Sequence, residues 1–150
     1  MTRILKTSDP IQADVVRADH APRPVGAYPH ARRVGNLLFL SGVGPRDPAT
    51  NAIIGNVYDV AGRLISYDIE TQCRAAFANV RTILEASGAR WEDLVDVTVF
   101  LTDIARDFAA YNRVYAEYFS VAQPCRTTLG ITALPTPIAI ELKCIASLSD

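Results

Sequence analysis

Residues 124–146 read PCRTTLGITALPTPIAIELKCIA. Side chains alternate in character over 126–131 and again over 138–146, with the two-residue period of a β-strand. Between these runs, Pro135 and Pro137 break the pattern, because proline lacks the N–H that a ladder of hydrogen bonds requires. The stretch therefore predicts two strands joined by a linker, 134–137.

Two more strands are predicted upstream of this stretch. Residues 95–101 are rich in β-branched side chains, and residues 36–42 form an apolar run between Gly35 and Gly42. Residues 44–67 hold several glycines and prolines, so we expect loops there with at most a short hairpin.

Two helices are predicted between the strands. The first begins with Asp68 as its capping residue and ends near Gly88, which supplies the left-handed position that often follows a helix. Its apolar side chains recur at spacings of three and four and form one stripe: Ile69, Cys73, Ala76, Phe77, Val80, Ile83 and Leu84. In the second helix we expect Asp107 as the cap, after a connection at 103–106, and an inner face marked by Phe108, Asn112, Tyr115 and Phe119.

This order of elements predicts an α+β fold of two layers, in which both helices pack on one face of a mixed β-sheet. The last two strands carry apolar residues on both faces, so the uncovered face needs burial by another subunit, and we expect an oligomer. Residues 1–24 are poorly patterned and are assigned to an N-terminal arm, which leaves 25–150 as a single domain.

The charge balance bears on the possible partners. The chain has 150 residues with 15 Lys and Arg against 16 Asp and Glu, so its formal net charge is −1. This argues against a nucleic-acid partner, since phosphate binding needs a surplus of basic residues on one face. No run approaches the ~20 apolar residues of a membrane span, and the N-terminus lacks the apolar core of a signal peptide. We therefore expect a cytoplasmic protein with no membrane partner.

Cofactor sites are not indicated by the sequence. Three cysteines at wide spacing and two histidines form no metal-binding pattern, and the glycine loops of nucleotide-binding proteins are missing. We therefore expect chemistry without a metal and without a cofactor.

Arg126 and Glu141 are the two residues with the clearest chemical potential. Each is a charged residue within an otherwise apolar or hydroxylic strand, where an unpaired charge is costly. If the two strands are neighbours, the guanidinium can bind a substrate carboxylate and the carboxylate can act as a general base towards water. A structural ion pair, or a glutamate on a solvent-facing edge beside Lys143, is the competing interpretation.

Several other residues are candidates for the wall of a binding site. Ser41 and Gly42 end a buried strand, where glycine lets a ligand approach the backbone, although an ordinary turn has the same pattern. Tyr28 offers a hydroxyl at a pocket wall or simple core packing. Asn112 lies on the predicted apolar face of the second helix, so it orients a ligand or is a core amide with its own partner.

Taken together, these segments resemble the reactive intermediate deaminase family, known as RidA or YjgF. The matching segments are VGAY (25–28), LFLSG (38–42), VFL (99–101) with DFAAYN (107–112), and PCRTT (124–128) followed by LP (134–135) and IEL (140–142). The resemblance implies a chorismate-mutase-like homotrimer with pockets between subunits. It also implies hydrolysis of enamines and imines to ketones and ammonia without a cofactor.

The resemblance also implies roles for individual residues. Arg126 matches the arginine that binds the substrate carboxylate, and Glu141 matches the acid that handles the water. The implied substrate-binding positions are Tyr28, Ser41, Gly42, Asn112 and Thr128, and Thr128 stands where the best-known members have cysteine.

The combination of AYPH (27–30), PCRTT and LPTPIAIEL (134–142) looks most like the 2-aminomuconate deaminase branch. This implies conversion of 2-aminomuconate to 4-oxalocrotonate and ammonia in the breakdown of aromatic compounds. The alternatives are a general deaminase of 2-iminopropanoate or 2-iminobutanoate and a non-enzymatic ligand-binding protein. A dicarboxylate substrate needs a second cation or donor, and the candidates that the sequence does not rank are His30, Arg32, Arg33, Arg46 and Arg63.

Overall fold

The computed structural model describes residues 14–149. It contains eight strands within that range: β1 (Val15–Val16), β2 (Ala31–Val34), β3 (Leu37–Leu40), β4 (Asn56–Tyr58), β5 (Leu64–Tyr67), β6 (Leu94–Leu101), β7 (Cys125–Gly130) and β8 (Ile140–Ser147). Two helices, α1 (Ile69–Ala86) and α2 (Ile104–Phe119), flank β6, and a short 3-10 turn at Trp91–Asp93 leads into that strand.

Six strands form one mixed sheet in the order β1-β2-β3-β8-β6-β7. The pair β6–β7 is parallel and the other neighbours are antiparallel, as expected where α2 provides the crossover between β6 and β7. The strands β4 and β5 form a separate hairpin. Both helices pack on one face of the large sheet, which confirms the predicted α+β, two-layer fold.

The first helix is as predicted. The side chain of Asp68 accepts a hydrogen bond from the Glu70 N–H at 3.0 Å, which satisfies one of the free donors of the first turn. Every residue of the predicted stripe is buried, and Gly88, just beyond the helix, has φ of +76°. The stripe packs on β8 and on α2.

The predicted start of the second helix is wrong. α2 begins at Ile104 with Asp103 as its cap, whose side chain accepts from the Arg106 N–H at 3.2 Å. Asp107 lies one turn further on and is 1% exposed, and its carboxylate accepts a hydrogen bond from the Tyr67 hydroxyl at 2.6 Å. The residues assigned to a connection therefore form the first turn of the helix.

The described part of the predicted arm belongs to the folded unit. Val15 and Val16 pair with Arg32 and Ala31 at the edge of the sheet, and Ala18 is only 3% exposed. Neither β1 at the edge of the sheet nor β2 beside it was predicted, because such short strands are ordered by pairing rather than by an apolar pattern of their own. Residues 1–13 lie outside the described residues.

The helices cover one face of the large sheet and leave the other face uncovered. One face, beneath the helices, carries fully buried side chains such as Val97, Val99 and Leu142. The other face carries partly exposed apolar side chains, namely Phe39, Phe100, Leu129 and Ile145. Across residues 14–149, no helix combines the length and the apolar character needed to cross a membrane.

Candidate active site

A cleft of about 400 Å³ opens where β3 ends beside β8. This volume lies in the range of small-molecule binding sites. Its walls come from the end of β3, the segment 44–46, the linker before β8 and β8 itself. The lining residues are Val25, Tyr28, Ser41, Gly42, Gly44, Arg46, Pro135, Thr136, Ile138, Glu141 and Lys143.

Glu141 provides the carboxylate of this cleft. It lies on β8 and is half-buried, and this burial raises the pKa of its carboxyl group, while the positive charge of Arg46 opposes the rise. Gly42 packs against it so closely that a Cβ added at position 42 would lie 2.3 Å from Glu141 Oε1. A carboxylate with a raised pKa next to open space is suited to general acid–base catalysis near neutral pH.

Three side chains that line the cleft form hydrogen bonds with the backbone around it. Ser41 Oγ donates a hydrogen bond to the Pro29 carbonyl at 2.7 Å, and the Tyr28 hydroxyl accepts from the Val25 N–H at 3.2 Å. Lys143 Nζ donates to the Leu40 carbonyl. Tyr28, Ser41 and Gly42 line one cleft with Glu141.

Arg126 lies at a different place, on the edge strand β7. Its guanidinium carbon lies 4.6 Å from the ring centre of Tyr115 and 5.5 Å from that of Tyr111, and its Nη1 donates to Asn112 Oδ1 at 2.9 Å. Two aromatic faces and an amide oxygen thus hold an exposed arginine in one orientation. Thr128 lies on the same face, where its Oγ1 shares a hydrogen bond of 2.8 Å with the Tyr111 hydroxyl.

The condition for Arg126 and Glu141 to face one pocket, that their strands are neighbours, is not met within a single subunit. Their strands are not neighbours, because β6 lies between them. Val97 of β6 pairs with Arg126 on one side and with Cys144 on the other, so these residues share the face that the helices cover. Glu141 is three residues from Cys144 and therefore lies on the opposite face.

Two other candidate residues, Asn112 and His30, have surroundings in the structure that differ from those predicted. Asn112 is exposed on α2, and the buried face of that helix is formed by Asp107, Tyr111, Val114, Tyr115 and Phe119. His30 uses both ring nitrogens for the backbone, since Nδ1 accepts from the Ala18 N–H at 3.0 Å and Nε2 contacts the Pro22 carbonyl at 2.8 Å. His30 therefore holds the segment before β2 in place instead of offering a free donor to a ligand.

Sequence reasoning missed Asn79 and did not single out Arg46. Asn79 lies on the buried stripe of α1 and donates from Nδ2 to the carbonyls of Gly44 and Arg46, at 2.9 and 2.8 Å. A buried amide in an apolar helical stripe is the signal that would have found it. Of the four arginines named above, Arg46 lines the cleft, whereas Arg63 pairs with Asp59 on the hairpin. Within residues 14–149, no three His, Cys, Asp or Glu side chains are grouped to hold a metal ion.

Known proteins resemble this chain along most of its length. A family model described as Endoribonuclease L-PSP matches residues 18–148. A RutC family protein of Pyrococcus horikoshii is 38% identical over 133 residues, which cover 89% of this chain and 96% of the relative. The chloroplastic Reactive Intermediate Deaminase A of Arabidopsis thaliana is 37% identical over 138 residues, which cover 92% of this chain and 67% of the relative.

Solved structures share the fold as well as the sequence. RidA from the Antarctic bacterium Psychrobacter has a TM-score of 0.76 at 30% identity, and the match covers 89% of this chain and 98% of that one. Escherichia coli TdcF with bound serine has a TM-score of 0.75 at 30% identity, with coverage of 90% and 98%. These matches confirm the resemblance seen in the sequence: the chain belongs to the Endoribonuclease L-PSP family, which includes the RutC and RidA proteins.

Proposed function

We propose that this protein is a cofactor-independent deaminase that hydrolyses enamines and imines. The observation that carries the proposal is the half-buried carboxylate of Glu141, with its raised pKa, in a cleft of small-molecule size. The relative named as a reactive intermediate deaminase supports a reaction at a carbon–nitrogen bond. The net charge of −1 does not favour an RNA substrate, despite the family description.

The reaction needs one water and one proton carrier. Glu141 takes a proton from water as the water oxygen attacks the carbon of the protonated imine, and a tetrahedral carbinolamine forms. The carboxyl group then returns this proton to the nitrogen. The carbon–nitrogen bond breaks as the carboxylate takes the hydroxyl proton, which passes to the departing ammonia, so a ketone and an ammonium ion leave. An enamine substrate first shifts a proton from nitrogen to carbon and becomes the imine. Neither oxidation nor a covalent enzyme intermediate is required.

The active site is formed between the subunits of a homotrimer. Arg126 of one subunit binds the carboxylate next to the imine carbon, and Glu141 of the neighbouring subunit handles the water. Support comes from the placement of the two residues on opposite faces of the sheet, with Arg126 exposed on an edge strand. The partly exposed apolar side chains of the uncovered face, among them Phe100 and Leu129, provide a surface that a neighbouring subunit can bury.

The substrate we favour is 2-aminomuconate, which yields 4-oxalocrotonate and ammonia in the breakdown of aromatic compounds. The basis is the sequence combination AYPH, PCRTT and LPTPIAIEL, described above. A general deaminase of 2-iminopropanoate and 2-iminobutanoate is the second candidate, favoured by the relative named for reactive intermediates. A ligand-binding protein without turnover is the third candidate, but such a protein does not need the half-buried carboxylate of Glu141.

The test is turnover by the purified protein in EDTA. 2-Iminopropanoate is generated from alanine by an amino-acid oxidase, 2-aminomuconate is followed by its absorbance, and ammonia is measured in both cases. We expect faster ammonia release than in buffer alone, and loss of that acceleration in Arg126→Ala with unchanged circular dichroism. Ligand binding without any acceleration would instead support the non-enzymatic candidate.

A further inference from the structure

We propose that Arg46 binds the second carboxylate of a dicarboxylate substrate and thereby sets a preference for dicarboxylates over small monocarboxylate imines. The inference rests on the proposed deaminase function and assigns the substrate class of the same cleft. It concerns a residue that lies with Glu141 in the lining of that cleft.

The segment that carries Arg46 is held rigidly. Asn79, which is 3% exposed, donates one hydrogen bond to the Arg46 carbonyl and one to the Gly44 carbonyl. Arg46 also pairs with Ile53 in an isolated β-bridge, so both sides of its backbone are fixed. A side chain on such a support meets a ligand with little loss of conformational entropy.

The guanidinium of Arg46 is oriented but its charge is not neutralised. Nη2 donates to the Arg23 carbonyl at 2.8 Å and Nη1 donates to Asn51 Oδ1 at 3.2 Å, and both acceptors are uncharged. No carboxylate of residues 14–149 forms an ion pair with it. Arginine has five N–H donors, so donors remain for a ligand carboxylate.

The position of Arg46 also suits a substrate that Arg126 already holds at one end. In the proposed trimer Arg126 of the neighbouring subunit binds the carboxylate next to the reacting carbon, so it leaves a distal carboxylate without a partner. Arg46 lines the same cleft as Glu141, so a second cation lies beside the reacting centre, and its positive charge opposes the rise of the Glu141 pKa. A small monocarboxylate imine has no group that reaches it.

A competing role for Arg46 is to tune Glu141 alone. That role predicts equal effects on all substrates and a displaced pH profile, whereas carboxylate binding predicts a loss confined to dicarboxylates. The experiment therefore compares wild type, Arg46→Leu, Arg46→Lys and the matched control Arg63→Leu, since Arg63 lies on the exposed hairpin. Lysine keeps the charge but lacks the planar pair of donors, so it should recover only part of the effect.

Two measurements are made on each variant. Calorimetry follows the binding of adipate and hexanoate, six-carbon probes with two carboxylates and one, and needs no turnover. Kinetics gives kcat/KM for 2-aminomuconate and 2-iminopropanoate, each at its pH optimum. We expect wild type to prefer adipate and Arg46→Leu to lose the preference. The kcat/KM ratio of dicarboxylate to monocarboxylate should fall about 100-fold.

Equal losses on both substrates in Arg46→Leu, or an unchanged ratio, would overturn the inference while leaving the deaminase function intact. If the wild-type protein turns over neither substrate and Arg46→Leu still loses the adipate preference, Arg46 is upheld as a carboxylate site and the proposed function is overturned. The same ratio change in Arg63→Leu would show a general effect of surface charge and would also overturn the inference.

Discussion

Gly42 lies directly against the carboxylate of Glu141, and a Cβ at position 42 would come within 2.3 Å of Oε1 and 2.8 Å of Cδ. The end of β3 and the middle of β8 therefore fit together only if residue 42 has no side chain. Because these two strands are far apart in sequence, the contact ties the position of the proposed general base to the turn that follows β3.

Gly42→Ala should displace the Glu141 carboxylate and lower kcat/KM about 100-fold, since a misplacement of about 1 Å can cost that much. The matched control is Gly130→Ala, where the new Cβ would meet Ile104 Cγ2 at 2.7 Å, away from the cleft. Steady-state kinetics and a structure of each variant are the measurements. Activity of Gly42→Ala within threefold of wild type would contradict the role given to this contact.

Asn112→Ala should raise KM about tenfold with a smaller change in kcat, a difference of roughly 1.4 kcal/mol in binding. The reason is that Asn112 Oδ1 accepts from Arg126 Nη1 at 2.9 Å and holds the arginine in its binding orientation. Arg113→Ala, which removes an exposed ion pair with Glu70, is the control and should leave KM near wild type. An unchanged KM in Asn112→Ala would mean that the aromatic rings alone orient Arg126.

Glu141→Gln should raise the thermal midpoint at pH 8 and lose this advantage near pH 4. Burial raises the pKa of Glu141, so the folded state holds its proton more tightly than the unfolded chain does. The folded state is therefore penalised once the pH exceeds the ordinary value for glutamate, and glutamine removes the penalty. Thermal unfolding at equal protein concentration at both pH values is the measurement. A lower midpoint at pH 8 would show that the charge stabilises the fold.

Tyr67→Phe should destabilise the protein by about 1–3 kcal/mol at neutral pH, because it leaves the buried Asp107 carboxylate without its hydroxyl donor. Burial already raises the pKa of Asp107, and loss of the donor raises it further, so the destabilisation should shrink as the pH falls and Asp107 takes up a proton. Tyr58→Phe, which removes an exposed hydroxyl, is the control. Denaturant unfolding at pH 7 and pH 4 measures both variants, and equal losses in the two would exclude a special role for Asp107.

The sequence alone predicts the elements whose stabilising interactions are local. The stripe and cap of α1 follow from spacings of three and four and from one aspartate, and both are present as predicted. In α2 the aspartates 103 and 107 are both acceptable caps, and the choice between them depends on the Tyr67 hydroxyl, which is 40 residues away from Asp107. The predicted start of α2 is wrong, and so is part of its predicted inner face: Asn112 is expected on that face but is exposed.

In the candidate site too, the sequence predicts local patterns but not the contacts between segments that are distant in the chain. The alternation along β7 and β8 correctly separated the two faces of each strand. Whether Arg126 and Glu141 share a face depends on β6, which lies between their strands and sets both registers. The contribution of Arg46 depends on a loop that Asn79 holds from another element, and no periodicity in the segment 44–46 indicates it.

The most direct test of the intersubunit site is activity in mixed oligomers. Arg126→Ala and Glu141→Gln are each prepared, shown to be inactive alone, and then denatured, mixed in equal amounts and refolded together. In a trimer whose every site takes Arg126 from one subunit and Glu141 from the next, about one site in four is complete after random assembly. An intersubunit site should therefore recover about a quarter of wild-type ammonia release. A mixture as inactive as its two components, with trimers formed, would show that both residues must come from one chain and would rule out the intersubunit site.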